Sequence, residues 1–396
     1  MVKKSDFERI DRLPPYVFAE VNTMKAKERS LGEDIIDFGM GNPDSPTPKH
    51  IVDKLCETIK DPKSHRYSVS RGITGLRRAQ SNYYSRRFNV DLDPDSQVLV
   101  TLGSKEGLAN LASAITSAGD KIVVPNPSYP IHPYGFVIAG ASISSIDSKP
   151  DENFLINLHK IISNSRNNVK ALVLNYPNNP TTCFASLDFY KEVVTLCLKY
   201  GVYVLSDIAY SEIYFDKNPP PSILEVPKAI QIAVEFSSLS KTYSMPGWRI
   251  GFAVGNNKLI GALAKIKSYL DYGAFTPVQV AGIAALNGPQ DCIEEIRNTY
   301  KKRRDILVQG FTRVGWDMIL PSGTMFVWAK LPKKFINIGS LQYSKLLLKY
   351  GKVAVAPGIG FGSKGEGYVR IGLVENEHRI RQAIKNVKIF LDTYND

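Results

Sequence analysis

Between about residue 95 and residue 255 the chain alternates short, almost wholly apolar runs with longer stretches of helical spacing. The runs are QVLVTLG (97–103), KIVVPN (121–126), KALVLNY (170–176), VYVLSD (202–207), IAVEFSS (232–238) and IGFAVG (250–255). They are short and rich in β-branched residues, which favours strands over helices. A strand that is apolar on consecutive residues must be covered on both faces. The stretches between them, such as KEGLANLASAITSAG and SLDFYKEVVTLCLKYG, supply helices to do so. The alternation predicts an α/β fold with a largely parallel sheet between helical layers. In such a sheet ligands bind in the crevice at the carboxyl ends of the strands, so functional residues are sought there.

Beyond about residue 286 the pattern changes. A long charged helix (CIEEIRNTYKKRRDILVQGF) leads into strand-like segments (MFVWAKL, VAVAPG, YVRIGL) and a closing helix (RIRQAIKNVKIFLDTY), which predicts a small α+β unit. The expected division is a loop-rich segment 1–45 packing on the small unit, a large domain 46–285 and a small domain 286–396. A chain of 396 residues suits two domains.

Composition narrows the function classes. Apolar residues make up 43% and charged residues 22%, as in ordinary globular proteins. No apolar run approaches the roughly 20 residues that span a bilayer. The opening MVKKSDFERIDRLPPYVF has acids and prolines where a signal peptide needs an apolar stretch, so a cytoplasmic location is expected. Cys56, Cys183, Cys197 and Cys292 lie far apart without CxxC spacing, and are expected to be buried or semi-buried thiols. The five histidines show no HExxH spacing, so no metal site is expected. The net charge of +12 is spread along the chain, with only short clusters such as KKRR (301–304). Without a nucleic-acid-binding motif it reads as a solvated basic surface that mildly attracts anionic substrates, not as a nucleic-acid interface.

The strand ends carry the chemistry. Run 97–103 passes through Gly103, Ser104 and Lys105 into a helix, where backbone N–H groups favour a phosphate. Run 121–126 ends near Tyr129, and run 170–176 in Asn175-Tyr176-Pro177-Asn178-Asn179-Pro180-Thr181. Run 202–207 ends in Asp207-Ile208-Ala209-Tyr210, and run 232–238 in Ser238-Leu239-Ser240-Lys241. Each alone has an ordinary explanation: a turn, a packing ring, or a carboxylate that must be paired at an apolar strand end. Together they place a phosphate cradle, an aromatic ring, an amide, a carboxylate, a phenol and a lysine along one edge.

In order and spacing these segments resemble the class I/II pyridoxal-phosphate-dependent aminotransferases of fold type I. The resemblance is carried by SLSKTYSMPGWRIG (238–251), FGMGNPDSPTP (38–48), RYSVSRG (66–72), PNNPT (177–181), DIAY (207–210) and GIGFGSKGEGYVRIG (358–372), and it covers essentially the whole chain. It implies a large domain with a mostly parallel seven-stranded sheet plus a small α+β domain. It further implies pyridoxal 5'-phosphate as cofactor, with Lys241 as the amine that bonds it and moves the substrate proton. Asp207 would pair with the pyridine nitrogen, Asn179 and Tyr210 would bind the ring oxygen, and Tyr129 would stack on the ring. Ser104, Lys105, Ser238 and Arg249 would hold the phosphate. Tyr67 would reach it from the other subunit of a homodimer. Arg370 would bind the substrate α-carboxylate with Gly41 and Asn179, and Tyr16 would shape the pocket. Arg71 and Lys105 stand next to matched positions and are candidates for a distal substrate carboxylate, or are plain surface charges. One departure stands out: Thr182 follows PNNPT where most relatives have glycine, so the turn is expected to differ.

Within the family, RIDRLPPYVF, GEDIIDFGMGNPD, GSKEGL, NPSYPIH and IKSYLDYGAFTP are similar to the alanine-forming glutamate–pyruvate branch. That similarity implies transfer between L-alanine and 2-oxoglutarate. The alternatives are an LL-diaminopimelate or aspartate aminotransferase and, more distantly, a C–S β-lyase that would share every cofactor ligand.

Overall fold

The predicted runs all become strands of one sheet. The structure, a computed structural model, describes residues 7–394 apart from 165 and 167. In chain order the strands are β1 (Ile36–Asp37), β2 (Val98–Thr101), β3 (Lys121–Asn126), β4 (Ser142–Asp147), β5 (Val169–Asn175) and β6 (Tyr203–Asp207). They continue with β7 (Ala233–Ser238), β8 (Gly251–Gly255), β9 (Phe326–Lys330), β10 (Val353–Ala354), β11 (Ala356–Pro357) and β12 (Tyr368–Gly372). The main sheet has seven strands in the order β2-β8-β7-β6-β5-β3-β4. It is an α/β fold, as the alternation predicts. All its pairings are parallel except those of β8, which runs against both β7 and β2. Because β8 is reversed, its first residue, Gly251, lies beside the last residues of its neighbours, Thr101 and Ser238. The reversal brings the segment before β8, including Arg249, to the same edge as the other strand ends.

Side chains of successive strand residues alternate between the two faces. Leu172 and Leu174 of β5 join one core cluster, with helices Thr74–Phe88 and Leu187–Tyr200. Ala171 and Val173 join the other, with helices Ser104–Ile115 and Asn257–Leu270. A separate antiparallel sheet, β11-β12-β9, has its own core around Phe326, Ile371 and Phe390.

Three expectations need correcting. Strand β4 (SISSID) was not among the predicted runs; it is the edge strand, partly exposed, so its sequence is polar and lacks the continuous apolar signal. Within the loop-rich N-terminal segment, Val17–Ser30 forms a helix of 14 residues that was not expected. Only Val21 in it is buried, so it has little apolar face to read. Tertiary contacts hold it instead: Val21 packs with Ile35, Leu348 and Ala354, and Lys345 and Lys352 pair with its Glu20 and Glu28. Cys56 is exposed, not buried like Cys197. It stands five residues from the buried Ile51 on one helix, roughly 140° round the axis at 100° per residue. No helix among the described residues is long and apolar enough to cross a membrane.

Candidate active site

The strand ends open into a cavity of about 470 Å³ between the main sheet, the small sheet and the Val17–Ser30 helix. Its lining includes Tyr16, Gly41, Ser104, Lys105, Tyr129, Asn179, Asp207, Tyr210, Ser238, Lys241, Arg249 and Arg370. These were singled out from sequence segments as far apart as Tyr16 and Arg370, and the fold brings them to one place. Tyr67 and Arg71 do not line it. Tyr67 is 86% exposed, its ring 4.6 Å from that of Tyr272. Arg71 donates from Nη2 to the carbonyl of Asp95 at 2.6 Å.

One end of the cavity is an anion cradle. The helix Ser104–Ile115 starts there, presenting free N–H groups with the positive end of its dipole. Ser104 Oγ donates to the Ser237 carbonyl at 3.0 Å. Arg249 donates to the carbonyls of Pro246 at 2.9 Å and Leu102 at 3.0 Å. The packing leaves no room for side chains: a Cβ on Gly103 would lie 2.3 Å from Arg249 Nη2, and one on Gly251 would lie 2.8 Å from the Ser104 nitrogen. Arg249 itself has left-handed backbone (φ 57°), as does Ser244 (φ 50°), so the segment around Lys241 adopts conformations uncommon for non-glycine residues.

Lys241 stands between the cradle and the small sheet. Its Nζ donates to the Gly41 carbonyl at 3.0 Å. Burial, with help from the positive charges of Arg370 and Arg249, lowers its pKa to about 8. Beneath it, Asp207 at the end of β6 is buried and held on both oxygens: Oδ2 lies 3.0 Å from His132 Nε2, and Oδ1 accepts the Ala209 N–H at 3.1 Å. Asn175 Nδ2 fixes the same turn through the Asp207 carbonyl at 2.8 Å. Asn179 Oδ1 accepts from Arg370 Nη1 at 2.8 Å, while its Nδ2 faces the Tyr210 hydroxyl at 3.5 Å. The Tyr210 phenol is pushed up by burial, so it stays a hydrogen-bond donor.

Arg370 reaches in from β12. Its guanidinium lies 4.2 Å from the Phe326 ring centroid and 4.8 Å from that of Phe361. Burial lowers its pKa to about 10, which leaves it charged at neutral pH. Its Nε is buried without a partner. Lys241, Arg249 and Arg370 thus donate only to neutral oxygens. A buried cation such as Arg370 without counter-charge is costly, and with Lys241 and Arg249 facing the same space the cavity suits anions. A phosphate in the cradle and a carboxylate at Arg370 would complete it, with a protonated ring nitrogen against Asp207. The donor set therefore fits pyridoxal 5'-phosphate carrying an amino-acid substrate.

The sequence reading missed His132, Phe326, Phe361, Lys25 and Asp37. His132 had a faint signal, three residues after Tyr129 on the helix that follows. The others lie in elements whose approach to the site is set by packing. Thr182 has left-handed backbone (φ 62°), the conformation glycine adopts without strain. The backbone there bears the strain of a β-branched residue. Thr182→Gly is expected to stabilise the protein by about 1 kcal/mol, after the added entropy of the unfolded glycine is subtracted, and to leave cofactor binding unchanged. The midpoint of urea unfolding checks it.

A family model described as Aminotransferase class I and II matches residues 33–387. The chain is 59% identical to a putative aminotransferase AatC of Rhizobium meliloti, covering 98% of this chain and 96% of that one. It is 52% identical to the glutamate-pyruvate aminotransferase AlaC of Escherichia coli (96% and 93% covered). Its identity to an LL-diaminopimelate aminotransferase of Moorella thermoacetica is 42% (96% and 97% covered). Among solved structures, apo-BacF from Bacillus subtilis superposes with a TM-score of 0.90 at 34% identity, covering 96% and 97% of the two chains.

Proposed function

The chain belongs to the class I and II aminotransferases, and from that premise we propose that it converts L-alanine and 2-oxoglutarate to pyruvate and L-glutamate, and back. Higher identity to the glutamate–pyruvate enzyme than to the LL-diaminopimelate enzyme supports the choice of substrates. The observation that carries the chemistry is the convergence of three cations on one cavity, the buried Arg370, the partly buried Lys241 and the more exposed Arg249, none of them paired with a carboxylate among the described residues.

The cofactor of this family, pyridoxal 5'-phosphate, supplies the electron sink for the charge left when the substrate α-proton departs. The chain's residues supply position and proton transfer. Ser104, Ser238, Arg249 and the backbone N–H groups of Ser104 and Lys105 hold the phosphate, Arg249 through paired donors. Asp207, oriented by His132, keeps a proton on the ring nitrogen. Asn179 and Tyr210 donate to the ring oxygen, and Tyr129 covers the ring face. Arg370 fixes the substrate α-carboxylate beside Gly41, where a Cβ would lie 3.0 Å from the Phe326 ring. With the carboxylate fixed, Lys241 Nζ is placed to accept the α-proton as a neutral amine.

The unit in this reading is a homodimer, with Tyr67 directed to the cradle of the partner subunit. Support comes from an exposed apolar patch of Tyr67, Val69, Tyr269, Leu270 and Tyr272 outside the cavity.

The test is a single-turnover half-reaction. The cofactor-loaded enzyme is mixed with one amino acid at a time, and loss of the absorbance of lysine-bound cofactor is followed. L-Alanine and L-glutamate are expected to discharge it with release of pyruvate and 2-oxoglutarate. Discharge by LL-diaminopimelate or L-aspartate but not by L-alanine overturns the substrate assignment. Pyruvate and ammonia released from cysteine conjugates would mark a lyase instead.

A further inference from the structure

The cavity has a side lobe that the chemistry above does not use. It runs under the Val17–Ser30 helix to Asn22, Lys25 and Asp37. There Lys25 Nζ donates to Asp37 Oδ2 at 2.7 Å, with the two side chains only 11% and 13% exposed. Arg29, on the same helix, approaches that oxygen at 3.7 Å but is half exposed. A nearly buried ion pair has to be matched by good geometry, and this one has a second connection. Asp37 Oδ1 accepts the Gly39 N–H at 3.0 Å, and the Gly39 carbonyl accepts from Arg370 Nη2 at 3.3 Å. Two residues on, the Gly41 carbonyl accepts from Lys241 Nζ at 3.0 Å. Hydrogen bonds thus lead from Lys25 through Asp37 to the Gly39 N–H, and the carbonyl of the same residue, one peptide unit on, meets the guanidinium of Arg370.

We propose that Lys25 and Asp37 are positioning residues that hold the Gly39 peptide so that Arg370 keeps its orientation toward the substrate carboxylate. The Asp37 carboxylate has two oxygens at work. One is held by Lys25, which sets its direction; the other fixes the N–H of Gly39, from whose backbone the next peptide presents its carbonyl to Arg370. The peptide joining Phe38 to Gly39 is held at both ends, its N–H by Asp37 Oδ1 and its carbonyl by the Gly372 N–H, and the preceding Phe38 N–H donates to the Ala354 carbonyl. Without the Lys25 charge, the carboxylate is drawn toward Arg29 and solvent, and the Gly39 carbonyl loses its fixed place against Arg370. Lys25 sits on the N-terminal helix, so placement of that helix is felt at the carboxylate site by a path of four groups. The proposal rests on Arg370 being the carboxylate ligand.

The test uses the cofactor-loaded enzyme and the variants Lys25→Met, Lys25→Arg, Lys345→Met and Arg370→Lys, with Asp37→Asn as a second probe of the pair. Lys345 also pairs with the same helix, through Glu20 at 2.6 Å, but far from Gly39, and serves as the control. The readouts are KM and kcat for L-alanine and 2-oxoglutarate, and the inhibition constant of propanoate, which has the carboxylate but no amine. Lys25→Met is expected to raise both KM values and the propanoate constant about tenfold, the size of one charge-assisted hydrogen bond, with kcat nearly unchanged. Lys25→Arg should restore most of the loss, and Lys345→Met should change none of these. Asp37→Asn, which retains an acceptor for the Gly39 N–H but not the charge, makes the same comparison if Lys25→Met does not fold. Unchanged KM and propanoate constants in Lys25→Met, alongside a large rise in Arg370→Lys, overturn the positioning role alone. Unchanged constants in Arg370→Lys instead overturn the reading of Arg370, and the proposal with it.

Discussion

Lys241→Ala is expected to lose amino-group transfer by at least roughly 10⁴-fold, because in the proposed mechanism one substitution removes both the covalent anchor of the cofactor and the general base. Reduction with borohydride should then leave no cofactor mass on the chain, whereas the parent enzyme should carry it at Lys241. The physical ground is the environment of the amine. A lysine with a pKa of about 8 is half neutral at pH 8. At the ordinary 10.5 it would be about 0.3% neutral, so burial and the two arginines raise the reactive fraction roughly 150-fold. Only the neutral amine attacks a carbonyl carbon. Uptake of pyridoxal 5'-phosphate by the cofactor-free enzyme should therefore accelerate as pH rises from 6 to 8 and level off above that. A rate still climbing steeply between pH 9 and 10 would show an unperturbed lysine. Transfer surviving in Lys241→Ala at a tenth of the parent rate would remove the lysine from the mechanism.

The second large effect is expected at Asp207. Its carboxylate is buried, with one oxygen turned to His132 and the other to the Ala209 N–H, and it ends a strand whose other residues are core. An acid in that place has been desolvated at a cost, which a cationic ring nitrogen would offset. Asp207→Ala leaves that nitrogen without its partner, and removing one member of a buried pair costs about 3–5 kcal/mol. The loss in kcat is then roughly 10²–10⁴-fold at 1.36 kcal/mol per decade, with weaker cofactor retention on dialysis. Asp207→Glu should recover part of it, limited by the longer side chain. A variant within tenfold of the parent that also holds cofactor as tightly would assign Asp207 to packing. These two substitutions act on different atoms of the same cofactor, so their defects should differ in kind. Lys241→Ala should still bind the cofactor without bonding it, and Asp207→Ala should bond it and turn over slowly.

Much of the site could be read from the chain because its groups occupy the ends of strongly patterned strands. β5, β6 and β7 are buried on both faces, so their apolar runs stand out and their last residues are marked as the places where polar groups begin. Asn175, Asp207 and Ser238 are those last residues, and Lys241 follows within one turn. The same logic fails at β4, at the N-terminal helix and at Lys25. The edge strand and the half-exposed helix lack a continuous apolar pattern. Lys25 looks like any other surface lysine until its helix is docked.

Local chemistry along the chain therefore determined the large layered sheet, the turn at Gly103–Ser104 and the place of Lys241 at a strand end, since each depends on neighbours within a few residues. Tertiary structure alone decided which way β8 runs, and so that Arg249 faces Ser104. It also decided that Arg370 meets Asn179 across 191 positions, and that an ion pair on the N-terminal helix reaches Gly39. Such meetings depend on how whole layers pack, and packing is the sum of many small apolar contacts rather than the property of any one segment.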